Sequence, residues 1–237
     1  MKYLTIKHAA VGLIAAACVA LPVAGIASAS TSAPADNAPV TTNSKKYDLD
    51  TAKAKADAAV QKRLASITVL DGRLQGVQHA ECQAAAMTSQ LAADSSGLTA
   101  LQAQIDALPA GTTVAQFRAL SDQIALNYRI YMLQTPKTRV VVACDKVFSA
   151  ADKLDAVAAK IQSKNPSADV SAIKADAQAA RDDATKAVND TINLVPDQGN
   201  GAAQAANKAA LLLARSDIKS AVASLKDGRS AAKALKV

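Results

Sequence analysis

The last third of the chain carries small and aliphatic residues at heptad spacing, and that pattern constrains the fold more than any other feature. Ile173, Ala177, Ala180, Ala184, Ala187, Thr191 and Leu194 alternate steps of four and three. After Pro196–Gly201, a turn-like stretch, Leu211, Ala214, Ile218, Ala221, Leu225, Gly228, Ala232 and Leu235 alternate steps of three and four. A period of 3.5 places each series on one helix face. Two such faces joined by a short loop predict an antiparallel, coiled-coil-like helical hairpin. Composition agrees: 57 of 237 residues are alanine, 9 are glycine, 3% are aromatic and none is tryptophan. Alanine is the strongest helix former, and strands favour larger β-branched and aromatic residues. The expected fold class is all-α, an elongated antiparallel helical bundle.

Residues 1–29 read as a secretory signal peptide. Lys2 and Lys7 precede a nearly unbroken apolar run, and Ala27-Ser28-Ala29 supplies small residues at a cleavage site. Retained, the same run of about 20 residues is long enough to span a bilayer. Cleavage would lower the formal net charge of +7 by the two lysines. Residues 30–46, rich in Ala, Ser, Thr, Pro and Asn, read as a disordered tether. Residues 47–165 then form a helical bundle, and 166–237 the C-terminal hairpin packed on or beside it. The expected localisation is secreted or cell envelope.

Within 47–165, Val60, Leu64, Ile67, Leu70, Leu74, Val77, Ala80, Ala84, Met87 and Leu91 predict one helix of roughly 45 residues, near 68 Å long, in which Gly72 and Gly76 are the candidate bend positions. Asp94-Ser95-Ser96-Gly97 is expected to stop it. Leu98 to Leu108 predicts a short helix ended by Pro109, and Thr112 or Thr113 caps the next. Thr135-Pro136 reads as a cap followed by proline at the first helical position. That helix ends at Lys164-Asn165-Pro166.

After export two cysteines remain, Cys82 and Cys144, and an oxidising compartment favours a disulfide between them. His79 and Cys82 share a helix face at His-x-x-Cys spacing and, with Cys144 and Asp145, make up a zinc-type donor set. The set lacks a second paired motif, and oxidation competes for the thiols, so no metal or other cofactor is expected and His79 reads as a solvated helical residue. No nucleophile elbow, phosphate loop or zinc-protease motif occurs, and the chain is not expected to be an enzyme.

Two surface features point to binding. Lys208, Arg215, Lys219, Lys226, Arg229, Lys233 and Lys236 face only two acids, Asp217 and Asp227, on the last helix. Such a helix suits an anionic envelope polymer, an anionic membrane surface or a protein partner. Without interleaved aromatics or a nucleic-acid motif, nucleic acid is an unlikely partner. Tyr128 and Tyr131 lie in the densest aromatic stretch and form either a core contact or an exposed aromatic patch. The heptad helices also allow self-association. The expected function is a binding or structural role outside the cell; the alternative is an amphipathic lipid or membrane-surface binder.

The segment Tyr128-Arg-Ile-Tyr-Met-Leu-Gln-Thr-Pro136, with Leu101–Asp106 before it and Val140–Asp145 after it, resembles a class of exported alanine-rich helical proteins of bacteria. They share Tyr-Arg-x-aromatic-x-Leu-x-x-Pro between two helices. The resemblance implies a helical exported protein and brings no activity, ligand or site.

Overall fold

The computed structural model describes residues 48–235. Seven α-helices follow one another: α1 (Leu49–Leu74), α2 (Ala84–Asp106), α3 (Val114–Ser121), α4 (Gln123–Leu126), α5 (Thr135–Lys164), α6 (Ser171–Ile192) and α7 (Gly201–Ala234). A 3-10 turn, Ala80–Cys82, precedes α2, and a π turn, Ile130–Gln134, leads into α5. The described residues contain no strand, so the fold is all-α. None of their helices is long and apolar enough to cross a membrane. The signal segment (1–29) and the tether (30–46) lie outside the described residues.

The single helix expected over residues 48–91 is two helices. The Asp48 carboxylate caps α1 by accepting from the Asp50 N–H, and Ala56, Val60, Ile67, Leu70 and Leu74 form its buried stripe. The Gln75 and Val77 N–H groups close the helix on the Asp71 and Leu74 carbonyls, and a carboxylate from another part of the chain takes the donors beyond them. Asp145 Oδ1 on α5 accepts from the backbone N–H groups of Gln78 (2.8 Å) and His79 (3.1 Å). Those groups would otherwise bond back to helical carbonyls. The chain re-enters helix through Gln83, at φ 55°.

Asp94-Ser95-Ser96-Gly97, expected as a stop, lies inside α2. Gly97 serves packing. A Cβ there would sit 2.6 Å from the Tyr128 hydroxyl, so the missing side chain makes room for the ring. Met87, Leu91, Leu98, Leu101 and Ile105 run as one buried stripe along the uninterrupted helix.

The start of α5 also differs from the Thr135 cap. Proline 136 has no N–H to return to the Met132 carbonyl. The preceding turn widens instead, and the Thr135 N–H bonds to the Ile130 carbonyl in the π pattern. Thr113 does cap α3, in a reciprocal box with Gln116. Asn200 caps α7 by accepting from the Ala202 and Ala203 N–H groups.

α6 and α7 make the most extensive helix pairing, and α5 packs along both. Ile173, Ala177, Ala180, Ala184 and Ala187 of α6 and Ala214 and Ala221 of α7 are fully enclosed. Lys186 Nζ meets Asp217 Oδ2 at 2.7 Å, while ten residues earlier on α6 Asp176 lies beside Gly228, further along α7. The two helices therefore run in opposite directions. Methyl side chains bury little area at about 25 cal/mol per Å², so the seam gains its stability from close backbone approach and helix propensity. α5, α6 and α7 belong to the same compact unit as α1 and α2, Lys46–Val237.

Candidate functional site

The described cations of the last helix lie on one exposed face of α7. At 3.6 residues per turn, Lys208, Arg215, Lys219, Lys226 and Lys233 fall within about 40° of one another, with Arg229 about 40° to one side. All six are exposed, and none makes an ion pair among the described residues. Asp217 points elsewhere and pairs with Lys186. Lys236 lies outside the described residues. Leu212 and Val222 are exposed along the same face, at 56% and 40%.

The first half of this face borders a groove of about 1020 Å³. Its other wall is the π turn and the first turns of α5. Lys208, Arg215 and Tyr131 all line it, so one basic cluster and one aromatic residue flagged in the sequence come together. Tyr128 does not join them. It is partly buried against the core beside Gly97, whereas Tyr131 is 45% exposed with the Arg63 guanidinium 5.5 Å from its ring centre. Leu133, Val140, Leu211 and Ile218 supply apolar lining, and Arg139 adds a third exposed cation. At one end Arg129, at φ 44°, donates from Nη2 to Asp197 at 2.6 Å. The Arg129 bond holds the Asp197 carboxyl below its usual range, with the Gly199 N–H adding to the effect.

Behind the groove lies a polar cluster that sequence reasoning did not find. Lys137 is 1% exposed. Its ammonium donates to Gln90 Oε1 and to the Leu194 carbonyl, 2.9 Å away. Gln134 Nε2 donates to Asp94 Oδ2 at 2.6 Å. Burial pushes the Lys137 ammonium down to about 8, against the pull of Asp94. Burial likewise raises Asp94, against its bond from Gln134. The cluster joins α2, α5 and the chain after α6. Because Lys137 releases its proton more readily folded than unfolded, the unfolded chain binds more protons between about pH 8 and 10.5, and stability rises with pH across that window. Urea titrations at pH 8 and 10 are expected to show that rise in the wild type relative to Lys137→Met. Parallel pH dependence in the two proteins would contradict it.

The four residues of the zinc-type set also meet, with both sulfurs taken by a disulfide. Cys82 and Cys144 are bonded to each other, with Cα atoms 5.7 Å apart and both side chains fully buried. His79, expected as a solvated residue, bridges two acids: Nδ1 lies 2.7 Å from Asp145 and Nε2 3.1 Å from Asp152. Arg181 of α6 in turn donates to Asp152 and Asp155. His79 leaves the solvated state because the helix it was assigned to ends before it, and Asp145 draws the segment onto α5. The arrangement acts as an ionic clasp beside the disulfide.

The clasp has a defined pH range. The Asp145 bond, opposed by burial, raises the His79 pKa above its usual 6.5. Arg181 and then His79 lower Asp152. Burial opposes ionisation of Asp145, and bonds from His79 and two backbone N–H groups outweigh it. The histidine contribution is complete below pH 6.5 and is lost as pH rises through the folded pKa. The carboxylate contributions are present above about pH 4 and are lost as pH falls through the depressed values. Wild type is therefore expected to lose melting temperature between pH 6 and pH 8 relative to His79→Gln. Equal changes in both proteins would show that the clasp carries no linkage.

No protein-family model, curated protein or solved structure matches the chain.

Proposed function

We propose that the protein is an exported, non-catalytic binding protein of the cell envelope or extracellular space, and that the basic face of α7 is its contact surface for an anionic envelope polymer. The observation that carries this reading is the row of six exposed cations on one helix face that make no ion pair among the described residues. Cations in a row, with Asp217 engaged by Lys186 on α6, attract a linear polyanion by a summed field that salt screens beyond about 8–10 Å. The scaffold we propose is an elongated antiparallel bundle with a coiled-coil-like α6–α7 hairpin, supported by the opposed course of these helices and their small-residue seam. The apolar N-terminal segment and the pairing of Cys82 with Cys144 both support export.

Binding of the purified protein to immobilised poly(glycerol phosphate) tests the reading. Retention at low salt is expected to fall steeply as salt is raised, and Lys226→Gln/Arg229→Gln/Lys233→Gln to weaken it about tenfold or more. Salt-independent retention would refute the electrostatic surface. Exposed Leu212 and Val222 on the same face favour a second reading, attachment to an anionic membrane surface. Sedimentation with anionic vesicles but no retention on the polymer would select that reading. Mass spectrometry of the exported form, expected to begin at Ser30, tests the signal segment.

A further inference from the structure

We infer that the groove between the π turn, the start of α5 and the first half of α7 binds a single-chain amphiphile with an anionic headgroup, of the long-chain carboxylate class. This goes beyond the polymer-binding surface, which extends along the whole of α7, and uses only that helix's first half.

Three properties of the groove specify such an occupant. Its volume of about 1020 Å³ is at the upper end of the range that takes small molecules, roughly 300–1,000 Å³. Its lining is predominantly apolar, with Met132 (57% exposed) and Pro136 from one wall and Leu211, Leu212 (56% exposed) and Ile218 from the other. A hydrated polyanion would leave those side chains in water, whereas an acyl chain removes them from it. Its cations are in excess. The one lining acid, Asp197, is already engaged by Arg129, while Arg139, Lys208 and Arg215 make no ion pair among the described residues. An apolar trough with surplus positive charge complements one anionic head and one apolar tail. A second copy of this chain is a poor occupant, because it brings the same unpaired cations onto the surface.

The walls are built to hold the trough open. Asp197 pins Arg129 across its end and accepts from the Gly199 N–H, fixing the turn before α7 relative to the π turn. Lys137, behind the first turn of α5, ties that helix to the Leu194 carbonyl just before the same turn. Both contacts cross between the two walls' supports, so the groove exists before any ligand arrives.

Titration calorimetry of the full protein with octanoate, decanoate and dodecanoate, each below its micelle concentration, tests the inference. Each buried methylene is expected to raise affinity about threefold to fourfold. Dodecanol and acetate, which lack the head and the tail respectively, are each expected to bind at least tenfold more weakly than dodecanoate. Ala143→Phe, which fills the groove from a partly exposed position on α5, is expected to abolish dodecanoate binding with the circular-dichroism spectrum unchanged. Arg139→Gln/Arg215→Gln is expected to weaken it about tenfold while leaving the dodecanol signal unaltered. Equal affinity along the chain-length series, or full dodecanoate binding by Ala143→Phe, would overturn the proposal. So would a concentration-dependent rise in mass by light scattering with no dodecanoate binding, which would assign the groove to a second copy. Lys226→Gln/Arg229→Gln/Lys233→Gln separates the two sites: it is expected to lose poly(glycerol phosphate) and keep dodecanoate.

Discussion

Cys82→Ala/Cys144→Ala is expected to lower the unfolding free energy by about 4 kcal/mol. The bond spans a sequence separation of 62 residues, and closing a loop of that length removes roughly this much chain entropy from the unfolded state. Both sulfurs are fully buried, so the alanines leave no new polar group unsatisfied and the entropic effect dominates. Urea denaturation of the double variant and of the reduced wild type should give the same loss. A loss below about 1 kcal/mol in both would mean that the unfolded chain is already compact around these positions. The neighbouring clasp refines the expectation. His79 contacts Asp145, next in sequence to Cys144, and the same segment carries Cys82. With the bond gone, the clasp carries a larger share of what holds residues 75–83, beside the Gln83 amide's bond to Asn189 Oδ1, so His79→Gln should cost more in the disulfide-free background than in the wild type. Double-mutant analysis reads that coupling directly.

The second large effect is expected at Gly228, where α5, α6 and α7 converge. A Cβ there would lie 2.9 Å from Leu154 Cδ1 and 3.1 Å from Asp176 Cβ. The leucine tip is confined in the core, and the Asp176 Cβ moves only with the backbone of α6. Gly228→Val must therefore separate two helices along a seam whose gain depends on close approach. A loss of roughly 2–3 kcal/mol is expected, after the small helix-propensity benefit of replacing glycine. Gly97→Ala is the informative contrast. Its clash is with the hydroxyl end of Tyr128, a partly exposed ring that can swing away, and the propensity gain of about 1 kcal/mol offsets the cost. Thermal denaturation should place Gly97→Ala within about 1 kcal/mol of wild type and Gly228→Val well below it. The reverse order would show that the seam tolerates widening.

Legibility in the sequence divides along the range of the interactions involved. The α6 and α7 stripes were readable because periodicity records which face each residue presents, and Ala177, Ala180, Ala184, Ala214 and Ala221 are all fully enclosed. The Thr113 cap and the turn before α7 were readable because their partners lie within a few residues. The break after Leu74 was legible only as a bend at Gly72 and Gly76, because the group that holds the following segment out of helix, Asp145, accepts from Gln78 and His79 across more than sixty residues of chain. Lys137 was hidden for a similar reason. A lysine in the first turns of a helix reads as solvated, and only the approach of Gln90 and Leu194 makes its burial tolerable. The groove combines both cases. Lys208, Arg215 and Tyr131 stood out singly, but their common cavity depends on how the turn before α7 returns to the start of α5.

The position of the disulfide also determines what a protease can accomplish. The Cys82–Cys144 bond makes a covalent ring that contains α2, α3, α4, the π turn and the first turns of α5. The exposed turn at Pro109–Gly111, a natural cleavage point, lies within that ring. A single cut there opens the ring but releases nothing: α1 remains tethered to α5, α6 and α7 through sulfur. The basic helix would stay attached to a nicked molecule, and only a reductant or a second cut outside residues 82–144 would set it free.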